Sequence, residues 1–151
     1  MKNLNSLLAV ILGLAASTAS AQQTTPANTT AAPATQAWTY KTKQLDRAQI
    51  DRLLAQPKKL LIIDVRRPDE LITKGAFPVY LNVQANELEK NLNFIPKDRT
   101  LLTVSNRAHR AGAAGDLLSS KGFKVAGAAG TLDYEEQGGT VSRITAPPPK
   151  N

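Results

Sequence analysis

The sequence predicts an α/β fold: a single domain with a largely parallel central sheet and helices on both faces. Two observations predict it. The runs LLIIDV (residues 60–65) and TLLTV (residues 100–104) are apolar without alternation, the pattern of strands buried on both faces as in a parallel sheet. Around them lie stretches with helical periodicity and recognisable start and stop residues, so strands and helices alternate along the chain. A third observation places function. Ligands of such sheets bind beyond the carboxyl ends of the strands. Two candidate ends carry polar groups: Asp64, Val65 and Arg66 after the first run, and Ser105, Asn106 and Arg107 after the second.

The elements follow in order. Asp46 caps a helix running through Ile50, Leu53 and Leu54, which Pro57, Lys58 and Lys59 break. LLIIDV is the first strand. Pro68 takes the first turn of a short helix, PDELITK, with Asp69 and Glu70 near its positive end and Gly75 at its stop. VYLNV (residues 79–83) is a second strand and ANELEKNL (residues 85–92) a second amphipathic helix. Residues 96–99 form a turn into the strand TLLTV. A helix from about residue 107 to 121 places Ala111, Ala114, Leu117 and Leu118 on one face. Gly122 is its left-handed terminator and Phe123 the apolar contact beyond. KVAGA (residues 124–128) is a last short strand. TLDYEEQ (residues 131–137) is a closing helix with Thr131 or Asp133 near its cap, stopped by Gly138 and Gly139.

The ends of the chain read differently. Lys2, the apolar core LLAVILGLAA and the small residues Ala19, Ser20 and Ala21 form a secretory signal peptide, residues 1–21, cut after Ala21. Its apolar core is half the roughly 20 residues a bilayer-spanning helix needs, so no stable membrane anchor is expected after cleavage. The pattern points to export across an inner membrane into a periplasm. Residues 22–37, rich in Thr, Ala and Pro and without charge, are expected to be a flexible linker. Residues 38–144 are the folded domain, and residues 145–151 a disordered or extended tail.

Composition narrows the function. The formal net charge is +7, and +6 once Lys2 leaves with the leader. The basic residues are spread along the sequence, apart from Lys58–Lys59 and Arg66–Arg67, so a solvated basic surface is the plain expectation. With one Trp, three Tyr and three Phe, the chain lacks the basic, aromatic-studded stripe of a nucleic-acid binder. Affinity for a small oxyanion or an acidic group of a partner fits better. The partner protein itself is not legible. There is no cysteine, so neither a disulfide framework nor thiolate chemistry exists in the chain.

Four segments in order resemble the rhodanese-like domain family. LLIIDVRRPDE resembles its strand ending in Asp-Val-Arg before Pro-x-Glu. KGAFPVYLNV resembles its Gly-His-Ile-Pro-Gly-Ala segment. IPKDRTLLTVSNRAHRAGAAGDLLSSKGFKV resembles its active-loop strand, loop and helix, and AGAAGTLDYEEQGG its closing Gly-Gly-x-x-x-Trp segment. The resemblance spans residues 45–139. It implies a single-domain rhodanese-like fold and an expectation of sulfurtransferase activity, in which a Cys-x-x-x-x-Arg loop carries a persulfide cradled by loop amides. Here Ser105 stands at the cysteine position and Arg110 at the arginine. Ala76 replaces the family's His, Val79 its Gly and Tyr134 its Trp.

Sulfur transfer uses a polarizable thiolate that attacks and leaves through S–S bonds. Ser105 offers neither. The leading expectation is therefore a non-catalytic, exported module that binds an anion or a partner through Ser105, Asn106, Arg107, Ala108, His109 and Arg110. Backbone N–H groups at a helix N-terminus make an anion nest there without sulfur. The alternatives are a sulfurtransferase-type enzyme working without a protein thiol, and a relic loop in which Arg110 pairs with a nearby carboxylate. Serine hydrolysis is disfavoured. His109 is the only histidine, it lies in the same loop, and TVSNR is not a Gly-x-Ser-x-Gly elbow.

Asp64 and Arg66 are supporting positions. Asp64 either pairs with a loop arginine or, as the favoured reading, caps the next turn. Arg66 either faces the pocket mouth or is solvated. Glu70 is expected on the helix N-terminus. Asp133, Glu135 and Glu136 read as a solvated acidic helix end rather than metal ligands, and no metal or cofactor is expected.

Overall fold

The computed structural model describes residues 36–143. The signal peptide, nearly all of the linker and the tail read from the sequence lie outside them. In chain order the elements are α1 (Arg47–Leu54), β1 (Leu60–Asp64), α2 (Pro68–Lys74), β2 (Tyr80–Asn82), a 3₁₀ helix (Glu89–Phe94), β3 (Thr100–Ser105), α3 (His109–Ser120), β4 (Lys124–Gly130) and α4 (Thr131–Glu136). The strands form one all-parallel sheet in the order β2-β1-β3-β4.

The unbroken apolar runs explain the layers. Side chains alternate across a strand, so a strand buried on both faces must be apolar at every position. In β1, Ile62 enters a core with Ile50, Phe77, Leu102, Val104 and Tyr134. Its neighbour Ile63 enters the opposite core with Val83, Leu88, Leu101, Leu118 and Phe123. Ile50 of α1 and Tyr134 of α4 belong to the first core, and α3 and the 3₁₀ segment contribute to the second. The α/β fold with helices on both faces is thereby established.

Local signals explain most boundaries. Asp46 accepts from the Gln49 N–H at 2.8 Å and Gln49 Oε1 accepts from the Asp46 N–H, a reciprocal cap on α1. Pro68 opens α2. Gly122, at φ +84°, closes α3, with the Phe123 N–H returning to the Leu118 carbonyl.

Three expectations need correction. ANELEKNL forms turns and a 3₁₀ helix rather than an α-helix. Asn91 Nδ2 donates to the Glu87 carbonyl while its N–H bonds Leu88, so the side chain takes the acceptor an α-turn would use. The third helix starts at His109, not residue 107, because Ala108 is left-handed. The last strand runs on to Gly130, past residue 128, and Gly130 caps α4 with Thr131 and Asp133 in its first turn.

A segment outside the predicted elements also packs on α3. Trp38, Tyr40 and Thr42 lie against Gly112 and Gly115, where any side chain would collide with them. Asp116 accepts from the N–H groups of Lys41 and Thr42 and from the Thr42 hydroxyl. The next residues continue into a bridge, Gln44 with Ala128, that covers the outer edge of β4.

Candidate functional site

The site grows from the carboxyl ends of β1 and β3, neighbours in the sheet. Asp64 ends β1, and Arg66 lies two residues on. Both side chains are 0% exposed and pair at 2.7 Å, with Arg66 Nε also donating to Asp64 Oδ1 at 2.9 Å. Asp64 Oδ1 accepts the Arg66 N–H as well, so the carboxylate both caps the turn and holds an arginine. The other guanidinium N–H groups reach Asn106 Oδ1, Thr131 Oγ1 and the Gly75 carbonyl at 3.1, 3.2 and 2.9 Å. A buried charge is tolerable only with such complete pairing. Neither reading of Arg66 from the sequence describes it. It is not at a mouth and not solvated; it ties β1, the end of α2, the loop after β3 and the start of α4 together. Asn82 Nδ2 seals the same corner by donating to the Asp64 and Arg66 carbonyls.

The loop follows β3. Ser105 is its last strand residue, 1% exposed, and its Oγ accepts the Ala111 N–H at 3.2 Å. Ala108 is buried in left-handed backbone at φ +62°. This left-handed residue directly precedes the right-handed first turn of α3, and an alternation of that kind is one from which anion nests are built. The N–H groups of Arg107, Ala108 and Arg110 have no hydrogen-bond acceptor among the described residues. That of His109 turns back to the Arg107 carbonyl at 2.8 Å.

The loop's arginines are not free. Arg110 makes two parallel hydrogen bonds to Glu70, at 2.6 and 2.9 Å. Glu70 also accepts from Asn106 Nδ2 at 2.7 Å and from the Arg67 N–H at 3.0 Å, so it caps α2 as expected and reaches across to the loop. The Arg110 hydrogen bonds hold the Glu70 carboxyl down at about 2, against burial, which acts the other way. Glu70 in turn raises Arg110. Arg107 points outward and bridges Glu136 and Asp133, which raise it. The positive charge read around this loop is thus matched by the fold's own carboxylates. His109 lies against Trp38 and Tyr40, with ring centroids 5.5 and 5.9 Å away and Nδ1 buried without a partner among the described residues. No imidazole bonds Ser105 Oγ, and the arrangement holds no nucleophile–base pair among the described residues.

Sequence reading assembled Ser105 through Arg110 with Asp64 and Arg66, and the structure brings these into one connected region. It missed Glu70 as the centre of the network, and Thr131 and Asn82 as its braces. Glu70 carried a signal in its position three residues after Arg67, the spacing of a reciprocal cap; Thr131 and Asn82 carried none. Three departures from the family pattern have physical counterparts. Val79 sits at φ +55°, a conformation that favours glycine. Ala76 pairs in a backbone bridge with Ser142. Tyr134 packs edge-on to Phe77 at 5.0 Å and donates its hydroxyl to Asp51 at 2.6 Å. Asp133 and Glu136 hold Arg107, and Glu135 holds Arg143 at 2.7 Å.

Comparison with solved structures places this architecture. The chain is similar to a rhodanese-related protein from Thermoplasma volcanium, with 26% identity and a TM-score of 0.55 over 66% of this chain and 97% of that one. It is similar to reduced Bacillus anthracis CoADR-RHD, with 27% identity and a TM-score of 0.53; there it covers 64% of this chain but only 16% of the other. A rhodanese-like domain protein from Staphylococcus aureus shares the fold, with 19% identity and a TM-score of 0.56 over 68% of this chain and 99% of that one. No family model and no curated protein matches the sequence.

Proposed function

From the premise that the chain carries a domain of the rhodanese-like family, we propose that it is an exported binding module without sulfurtransferase activity. It captures a small oxyanion, or a carboxylate of a partner, on the loop from Ser105 to Arg110. One observation carries this reading. The loop keeps amide donors with no acceptor, at Arg107, Ala108 and Arg110, while the nucleophile position holds a buried serine whose Oγ is occupied by the Ala111 N–H. Donors without acceptors favour an incoming anion. A chain with no cysteine has no persulfide carrier. Export rests on the leader-like residues 1–21 and a periplasmic location on the same feature.

Thermal unfolding in sulfate, phosphate, thiosulfate and chloride at matched ionic strength tests the binding half. A ligand of the folded state at 100 times its Kd adds about 2.7 kcal/mol. One oxyanion is expected to raise Tm above the chloride value, and Arg110→Ala to abolish the rise, because it removes the loop's cation and leaves the Glu70 charge without its arginine. Equal Tm in all four salts overturns the anion site. Thiosulfate:cyanide sulfurtransferase turnover by the purified chain overturns the non-catalytic reading.

A further inference from the structure

We infer that the amino-terminal end of the sheet, opposite the loop, is a docking face for an anionic lipid bilayer. The basic residues look scattered in the sequence, but a parallel sheet starts every strand at the same end. Lys58 and Lys59 precede β1, Lys97 and Arg99 precede β3, Lys121 precedes β4, and Lys124 opens it. The register sets Leu60, Thr100 and Lys124 side by side. With strands about 4.8 Å apart, Lys59, Arg99 and Lys124 fall within roughly one Debye length of one another. Lys97 Nζ stands 5.4 Å over the Phe123 ring, which joins the turn to the end of α3. Lys121 pairs with Glu89. The other five have no carboxylate partner among the described residues. Asp98 is the one acid in these strand-leading stretches.

An apolar feature adjoins the cations and decides between a bilayer and an acidic protein. Leu54, Pro57, Leu60, Ile62, Pro78 and Val79 line a groove of about 230 Å³. Its rim residue Pro57 directly precedes Lys58 and Lys59. Val79 is 90% exposed and holds φ +55°, a conformation that strains a β-branched residue. Folding gains nothing from this side chain, which is solvated and costs backbone strain. An apolar tip on the same end of the sheet as exposed lysines is the pattern of interfacial binding, in which apolar insertion and attraction to anionic headgroups act together. Binding is peripheral and reversible, and is independent of the loop and its ligand.

The test is co-sedimentation of the chain from residue 22 onward with vesicles of phosphatidylcholine containing phosphatidylglycerol, beside vesicles of phosphatidylcholine alone. Among the described residues, both hydrophobic cores are built from residues 45–141. Salt-sensitive binding to the anionic vesicles alone is expected. Neutralising one lysine at such a surface weakens binding about fivefold, so Lys59→Gln with Lys124→Gln lowers it about 25-fold. Val79→Gly supplies the readout that a merely structural role would not move: it raises Tm by relieving the backbone, yet weakens vesicle binding. Equal binding to both vesicles, no binding to either, or an unchanged affinity in the lysine variant overturns the proposal. Salt-sensitive binding to polyglutamate with Val79→Gly as tight as the parent also overturns it, and assigns the face to an acidic protein.

Discussion

Glu70 and Arg110, 40 residues apart, grip each other through two parallel hydrogen bonds of 2.6 and 2.9 Å. Glu70 thereby presents a carboxylate to the arginine that closes the loop. The fold thus supplies a carboxylate of its own to the arginine that ends the loop, and the pair joins α2 to α3.

This pairing makes a pH prediction. Glu70 is held at about 2, below its ordinary value of 4.5. A carboxyl lowered by folding adds stability that is present above its unfolded value and is lost as pH falls through its folded one. The window is therefore about pH 4.5 down to 2. The Glu70 side chain is 12% exposed but Arg110 is 40% exposed, so water screens the pair and the contribution is about 1 kcal/mol. Glu70→Gln is expected to lose that amount at neutral pH by urea unfolding, and the difference from the parent to shrink from about pH 4.5 and vanish below about pH 2. The same variant frees Arg110 and is expected to tighten sulfate binding. A stability difference constant across the window would contradict the pair's role.

The Asp64–Arg66 pair predicts a larger effect. Both groups are wholly buried, and removing one partner leaves an uncompensated charge. Asp64→Asn is expected to cost about 3–5 kcal/mol, measured by chemical denaturation. Arg107→Ala, which removes an exposed group bridging Asp133 and Glu136, is the surface comparison and should cost under about 1 kcal/mol.

Ser105→Cys tests what the loop retains. The helix N-terminus and the unpaired amides favour a thiolate, so its alkylation rate is expected to titrate below the free-thiol value of about 8.5. Glu70 offsets Arg110 in this site. Glu70→Gln in the same chain should therefore lower the titration further. A thiol that titrates at or above 8.5 in both would mean the amides do not converge on that position.

The period and composition of the sequence made the sheet and most helices legible, because burial on two faces demands unbroken apolar runs and caps act within one turn. The 3₁₀ segment was not legible, since one asparagine side chain takes a backbone carbonyl there. The partners of Thr131 and Asp133 were not legible either: Arg66 and Arg107, 65 and 26 residues away, claim their side-chain oxygens.

By itself the sequence determined an α/β chain that contains no thiolate and places a serine at the head of a strand–loop–helix turn. Only the tertiary structure decided that Arg66 is a buried brace, that Glu70 occupies Arg110, and that scattered lysines meet at one end of the sheet. Periodicity and capping are local properties, readable within a few residues. Charge pairing depends on which strand ends the parallel register brings side by side, and that register exists only once the chain has folded.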